Sequence, residues 1–391
     1  MTSGPEVSSI GTSRPTDLRH SGSIRITTVI GTLSGGGAER NLLRLCDALA
    51  VRGHHVALVT VNPGADDFYD VPLTVERRRA HPSAFMDCRW YNLPCQRVRR
   101  AALRRALLES EPDVIISFID TMNVGTLLAL WRHKIPVIVS ERIDPRLHVL
   151  SGRWSMLRRL VYPLAARVIV QTESVAAWAR RQWPRWRVQV IPNPVFEGAV
   201  AHAANRTGDV RKTVMSMGRL VGQKQFDHLI RAFALLSREF PDWDLLIVGE
   251  GPERPRLAAL ACELGLSGRV RMPGAVRSPA EVLASCDLFA FSSLYEGFPN
   301  ALCEAMASGL PVVCYDCPSG PREIIRHEVD GLLVTPQDVE ALSQSIRRLI
   351  GNPLERQRMA KRAREVAARF SSERIFDIWE RLIRDVLSEA A

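Results

Sequence analysis

Apolar residues along this chain fall into short, β-branched runs separated by longer stretches whose hydrophobic spacing is helical. Ile24 to Ile30, His55 to Val61, Val114 to Phe118, Pro136 to Ser140 and Val168 to Gln171 read as buried strands. A helical stripe through Leu42, Leu43, Leu45, Leu49 and Ala50 lies between the first two, and another runs from Val124 to Trp131. After a polar break the rhythm resumes. Strands are predicted at Val214 to Met217, Leu245 to Val248, Asp287 to Ser293 and Pro311 to Cys314, with an amphipathic helix over Phe226 to Leu236. Such alternation predicts an α/β class of parallel, doubly wound sheets, with functional loops at the C-terminal strand ends. The expected organisation is a disordered polar tail over 1–22, a Rossmann-like domain over 23–197 and a linker over 198–212. A second Rossmann-like domain over 213–372 and an amphipathic helix over 373–391 complete it.

Composition adds bounds. With 391 residues the chain is long enough for two full cores, and 46% hydrophobic with 24% charged residues suits a soluble globular protein. No apolar run reaches the roughly 20 residues that cross a bilayer, and the polar start lacks the apolar centre of a signal peptide. The eight cysteines are scattered and read as small core residues of a reduced protein. Cys314 and Cys317 stand at C-x-x-C spacing but no second pair completes a zinc site, and Cys88 and Cys95 carry no assigned function.

Charge changes the picture more. Residues 1–205 hold 27 Lys and Arg against 17 Asp and Glu, whereas 206–391 hold 25 against 25, so the whole excess of +10 lies in the first half. RVRRAALRRALLES, 97–110, is its densest part: a basic helix with apolar Val98, Ala101, Leu103, Ala106, Leu107 and Leu108. It reads as a solvated helix face or as a contact with an anionic membrane surface, in company with Trp154, Arg158 and Arg159. Nucleic acid is not an expected partner, since basic residues are not interleaved with aromatics on a recognisable module. The segment from Val71 to Pro94 reads as irregular.

Candidate chemistry gathers at predicted strand ends. DLFAFSSLYEGFPNALCEAMASG, 287–309, is a strand, a tight loop and a helix from Asn300 to Ser308 closed by Gly309. Glu296 is in the loop and Glu304 in the helix, so the two carboxylates come from different elements and can converge on one pocket. The loop of Gly297, Phe298, Pro299 and Asn300 brings free N–H groups, from all but the proline, to a helix N-terminus, which favours an anion such as phosphate. GTLSGGGAER, with Gly36 and Gly37, is a second strand-to-helix loop where backbone can approach a diphosphate, though it is not the dinucleotide fingerprint. GRLVGQK sets Arg219 and Lys224 beside another helix start. Asp120, Glu141, Arg142 and Asp144 lie just past strand ends of the first domain, either as acceptor-side groups or as an Arg142–carboxylate pair that shapes the loop. Asp242-Trp243-Asp244 spells D-x-D but reads as a surface turn before a strand, and His54 and His55 read as turn and strand-edge residues rather than catalysts.

The pattern E-G-F-P-N-x-x-x-E-A-M-A-x-G-x-P-V-V closely resembles the E-x7-E signature of retaining nucleotide-sugar glycosyltransferases of family four, whose fold is the two-domain GT-B. G-R-x-x-x-x-K resembles the phosphate-binding turn of the same family and stands in the right order before it. The resemblance is specific over 214–335 and at fold level in the first half. SERID, 140–144, departs from the family, many members of which carry a His near this place.

The resemblance implies transfer of a sugar from a nucleoside-diphosphate sugar to an acceptor hydroxyl with retention. Glu304 would hold the ribose, Glu296 the donor sugar, and the loop of Gly274 the base. Arg219, Lys224 and the helix N-termini at Gly37 and Asn300 would neutralise the leaving diphosphate, with no metal and no cofactor. UDP is expected over GDP, and a lipid-linked glycan of bacterial envelope or exopolysaccharide assembly is the expected acceptor, met from the cytoplasm at the inner face of the membrane. The alternatives are a nucleotide-sugar epimerase of similar fold and a non-catalytic basic protein binding membrane or nucleic acid.

Overall fold

The β-branched runs pair side by side, parallel throughout, into two sheets. The computed structural model describes residues 22–61, 67–80, 93–148, 150–196, 211–276 and 278–391, so the expected tail, most of the linker and Cys88 lie outside the described residues. The first domain runs β1 (Arg25–Ile30), α1 (Gly37–Val51), β2 (His55–Thr60), β3 (Glu76–Arg79), α2 (Leu93–Leu108), β4 (Val114–Phe118), α3 (Asp120–Leu130), β5 (Val137–Ser140), α4 (Gly152–Val161), β6 (Arg167–Val170), α5 (Glu173–Gln182) and β7 (Val188–Val190). The second begins with β8 (Lys212–Met217), α6 (Phe226–Leu236), β9 (Trp243–Val248), α7 (Arg254–Glu263), β10 (Val270–Gly274), α8 (Pro279–Ala284) and β11 (Leu288–Phe291). It continues with α9 (Asn300–Ala307), β12 (Val312–Tyr315), α10 (Pro321–Ile324), β13 (Gly331–Val334), α11 (Val339–Gly351), α12 (Pro353–Ala363), α13 (Glu365–Arg369) and α14 (Ser372–Ala390).

The seven-stranded sheet has the order β3-β2-β1-β4-β5-β6-β7 and the six-stranded one β10-β9-β8-β11-β12-β13. In each the order reverses once, at β1/β4 and at β8/β11. The loops leaving those strands diverge to opposite faces and open a crevice at the carboxyl ends. GTLSGGGAER leaves β1, GRLVGQK leaves β8 and SSLYEGFPN leaves β11, so three of the candidate loops sit at these two switch points.

Both faces of each sheet are covered, which is why the strands read as unbroken apolar runs rather than alternating ones. Ile115 and Val139 of the first sheet face Leu103, Leu107, Val124 and Leu127 of α2 and α3, while Ile116 and Ile138 point the other way to Leu42 and Leu45 of α1. On that second face α14, from the far end of the chain, supplies Ile375, Phe376, Trp379, Leu382, Ile383 and Val386 to the first domain's core. Trp379 lies 6.1 Å from the Phe118 ring. The return strand of chain is pinned where Val195 N–H donates to Phe370 O at 2.8 Å, so the two passages between domains run side by side.

Four expectations need correction. Cys262 is exposed on α7 rather than a core residue. The stretch after Val71 contains a strand: Glu-Arg-Arg-Arg of β3 pairs with β2 at the sheet edge. It carries no apolar alternation because a charged edge strand resists further pairing. Asp244 is not in a surface turn; Trp243 already starts β9, and the Asp244 carboxylate is buried between Arg211 at 2.8 Å and Arg269 at 3.2 Å. Arg158 does not face outward either, being 4% exposed, because it turns in toward Glu141.

Candidate functional site

Two helix N-termini meet across the gap between the domains. α1 begins at Gly37 after the glycine-rich loop, α9 begins at Asn300 after Pro299, and Asn300 Nδ2 donates to Gly37 O at 3.4 Å. A Cβ on Gly37 would stand 2.5 Å from that Asn300 nitrogen, so any larger residue there would push the Asn300 amide aside. Asn300 is held by two more amides of the first domain: Asn41 Nδ2 donates to its Oδ1 at 3.2 Å and Asn193 Nδ2 at 2.7 Å. Asn193 also donates to Phe298 O at 3.1 Å. Opposed N-termini place the positive ends of two helix dipoles on one spot, where an anion is favoured.

Beside this spot Lys224 Nζ pairs with Glu296 Oε1 at 2.6 Å, with side chains 15% and 10% exposed. The loops that carry them are sewn together. Leu294 N–H donates to Gln223 O, Gln223 Nε2 to Tyr295 O, and Ser292 Oγ to Lys224 O, all within 2.9 Å. Lys224 also lies 5.2 Å over the Phe291 ring, and Ser319 Oγ donates to Glu296 O at 2.5 Å. Gly297 is wedged against the first domain, since a Cβ there would come within 2.7 Å of Arg142 O. Arg219 is exposed at the rim. Its charge opposes the upward push that burial gives the Glu39 carboxyl, which folds back over Gly36. At the other edge Gly274, with φ +101, donates no side chain of its own and lies next to Glu250, its carbonyl accepting from Gly249 N–H at 2.9 Å.

Glu304 faces the first domain and pairs directly with Arg40 of α1. Burial raises its pKa, and the charges of Arg40 and Arg44 work against that. Glu296 and Glu304 therefore face one cleft but answer to different cations, one from each domain.

The four residues at the first domain's strand ends divide differently. Asp120, Glu141 and Asp144 are 4%, 2% and 0% exposed. Glu141 accepts from Tyr162 OH at 2.5 Å and lies 3.7 Å from Arg158; burial pushes it up to about 7. Asp120 faces His148 Nε2 at 3.4 Å, and Asp144 pairs with Arg146 at 2.6 Å. Arg142 makes no carboxylate pair among the described residues. It donates to Ser140 Oγ at 3.2 Å and to Asn193 Oδ1, its guanidinium lies 4.4 Å over Phe118, and burial lowers its pKa to about 9. Of these groups, Arg142 reaches the second domain through its carbonyl, which lies against Gly297.

Residues that sequence reasoning passed over complete the seam. Arg40, Asn41, Asn193 and Gln171 meet the α9 loop, and Glu323 accepts the N–H groups of Glu173 and Ser174, each at 3.0 Å, at the start of α5. Arg40 had one available signal, its place a single turn after the glycine-rich loop. Asn193 in IPNP had none, since its role exists only across the two domains.

Known proteins bear on this geometry. Residues 200–366 match the profile described as glycosyl transferases group 1, and residues 35–196 that described as Glycosyltransferase Family 4. The chain is 30% identical to the lipopolysaccharide core biosynthesis glycosyltransferase LpsE of Rhizobium meliloti, covering 89% of this chain and 96% of that one. It is 28% identical, over 93% of this chain and 99% of the other, to a Campylobacter jejuni α-1,4-N-acetyl-D-galactosaminyltransferase named for a diphospho-undecaprenol-linked acceptor. A 35% identical match to an exopolysaccharide phosphotransferase of Streptomyces coelicolor takes in 73% of this chain but only 30% of that longer protein. Among solved structures, sucrose-phosphate synthase from Thermosynechococcus elongatus superposes with a TM-score of 0.81 at 22% identity, covering 93% of this chain and 100% of the other. Anabaena HepE in complex with UDP does so with 0.73 at 21%, again over 93% and 100%. With two parallel-sheet domains opposed across a cleft and relatives matched nearly end to end, this chain belongs to the group 1 glycosyltransferases of the GT-B fold.

Proposed function

We propose that the protein transfers a hexosyl or N-acetylhexosaminyl unit, with retention, from a nucleoside-diphosphate sugar to a lipid-linked glycan. The observation that carries this reading is the convergence of the Lys224–Glu296 pair, Glu304 and two opposed helix N-termini on one cleft. As the bond from the anomeric carbon to the phosphate oxygen breaks and the acceptor oxygen bonds to that carbon, charge grows on the diphosphate, which takes up the acceptor's proton. Lys224, Arg219 and the N-termini at Gly37 and Asn300 supply fixed positive potential there, which costs no reorganisation during the reaction. Glu304 accepts the ribose hydroxyls, Glu296 fixes the donor sugar, and the backbone around Gly274 meets the base. In this reading the first domain's crevice takes the acceptor. Arg142 and the buried Asp120, Glu141 and Asp144 set its floor. The UDP complexes among the structural neighbours favour UDP as the carrier, and the undecaprenol-linked acceptor named for the Campylobacter relative favours a polyprenyl-diphosphate glycan.

The acceptor's lipid implies a membrane partner, and one face of the first domain suits it. α2, α3 and α4 adjoin there, exposing Val98, Trp131, Met156 and Leu160 among Arg104, Arg132, Arg153 and Arg159. Apolar side chains rimmed by arginine favour an anionic bilayer surface. No helix among the described residues is long and apolar enough to cross a membrane.

Incubation with UDP- and GDP-sugars and an undecaprenyl-diphosphate-linked saccharide tests the reaction. Release of nucleoside diphosphate together with an α-linked product from an α-linked donor, read by NMR, is the expected result. An isomerised sugar nucleotide formed without acceptor would establish an epimerase instead. Co-sedimentation with anionic vesicles that survives low salt but not Trp131→Ala with Leu160→Ala supports the docking face, and no co-sedimentation removes it.

A further inference from the structure

The Arg40–Glu304 pair leaves two polar atoms unanswered. Both side chains lie largely out of solvent, 19% and 22% exposed, and their contact uses Arg40 Nη2 and Glu304 Oε1. Arg40 Nε and Glu304 Oε2 are each buried and have no hydrogen-bond partner. A buried donor and a buried acceptor left bare on adjacent groups cost free energy unless something fills both. The filler must offer an acceptor to the guanidinium and a donor to the carboxylate. A nucleoside hydroxyl can do both but brings no charge to the guanidinium, and hydrogen phosphate can do both but brings its anion against the carboxylate as well. A nucleoside diphosphate carries both, a few bonds apart.

Position argues the same way. Arg40 is one turn into α1, the helix whose first residue, Gly37, accepts at its carbonyl from Asn300 Nδ2 across the gap between the domains. Arg44, a turn further on and stacked 3.9 Å over Phe196, adds to the positive potential that Glu304 feels. Tyr69 OH donates to Gly35 O at 3.3 Å and braces the glycine-rich loop from behind.

We propose that Arg40 is a donor-binding residue contributed by the first domain. With Glu304 it forms a two-atom socket in which Glu304 Oε2 accepts a ribose hydroxyl while Arg40 Nε donates to a diphosphate oxygen. The inference rests on the donor-site reading above and extends it, because the socket exists only when both domains face each other. Donor binding and closure of the cleft are then one event: the guanidinium that grips the diphosphate is tied to the opposite domain through the same carboxylate that grips the ribose.

The test is calorimetric titration of wild type, Arg40→Met, Arg40→Lys and Glu304→Gln with UDP, GDP, uridine and guanosine. For the diphosphate that binds wild type, Arg40→Met should lower affinity about 10- to 100-fold, since a charge-assisted bond to phosphate is lost, and leave the matching nucleoside within about three-fold. Arg40→Lys, which keeps the charge without the fork, should fall between. Glu304→Gln should weaken nucleoside and diphosphate alike. Equal losses for nucleoside and diphosphate in Arg40→Met would reduce Arg40 to a residue that aligns Glu304, and tighter diphosphate binding would make it a plug; either overturns the proposal. Unchanged affinities in Glu304→Gln, or no binding of UDP or GDP by wild type, would overturn the donor-site reading itself. If Arg40→Met does not fold, Arg40→Lys carries the same comparison, and a wild-type ratio of diphosphate to nucleoside affinity in it overturns the proposal.

Discussion

The acidic residues on the two sides of the cleft look alike in the chain and behave unlike in the fold. Glu296 and Glu304 of the second domain each keep a cation at the cleft surface, with side chains 10% and 22% exposed. Asp120, Glu141 and Asp144 of the first domain sit at equivalent strand ends but have side chains at most 5% exposed. Their partners, His148, Arg158, Tyr162 and Arg146, belong to their own domain. The two cleft-side carboxylates keep part of their side chains open, whereas the strand-end acids are closed in by their own domain. On the proposed reading, the comparison separates groups that would bind donor from groups that would shape the surface on which an acceptor rests.

The sharpest way to break it is Lys224→Ala. On the proposed reading, removing the cation that pairs with Glu296 should cut turnover by about 10²- to 10³-fold and, because it leaves a largely buried carboxylate unpaired, lower the melting temperature as well; full activity of the folded variant, measured by nucleotide release, would erase the distinction. Gly297→Ala comes next. Its Cβ would fall 2.7 Å from the Arg142 carbonyl, a backbone atom that yields only if the seam opens. A loss of roughly 1–3 kcal/mol is expected, with a larger radius of gyration in solution scattering.

Glu141 tests the buried side. Its carboxyl holds a proton up to about 7 in the folded chain and only to about 4.5 when unfolded, so folding takes up a proton between those values. Stability from this group is whole below about 4.5, declines as pH rises and is gone above about 7. Glu141→Gln removes the titration. Between these limits wild type should lose on the order of 2–3 kcal/mol relative to the variant, read by denaturant melts across pH, and parallel curves would place Glu141 in contact with solvent. The smallest effect belongs to Glu323→Ala, which uncaps two N–H groups of α5 at the seam. About 0.5–1 kcal/mol is expected, with donor affinity intact.

Much of this was readable beforehand because it is local. The βαβ rhythm follows from apolar runs long enough to be buried on two faces, and the loop of Glu296 announces itself by a glycine, a proline and a helix start within a few residues. What stayed hidden is what two distant segments make together. Asn193 joins Asn300 across 107 positions and Arg40 joins Glu304 across 264, with no periodicity to register either. β3 was missed for a different reason: Arg77 to Arg79 pair as a strand because backbone bonds to β2 suffice at an edge, whatever the side chains. Asp244 shows the converse, a charge inside a strand that two arginines from elsewhere make tolerable.

Thermal unfolding with UDP, GDP and ADP in turn, each with and without magnesium, tests the donor site most directly. A nucleotide at about 100 times its dissociation constant stabilises by ~2.7 kcal/mol and should raise the melting temperature by roughly 5–10 °C. Selective stabilisation by UDP, the same with or without magnesium and abolished in Glu304→Gln, is the predicted result. No shift with any of the three, or an equal shift in wild type and Glu304→Gln, would contradict it.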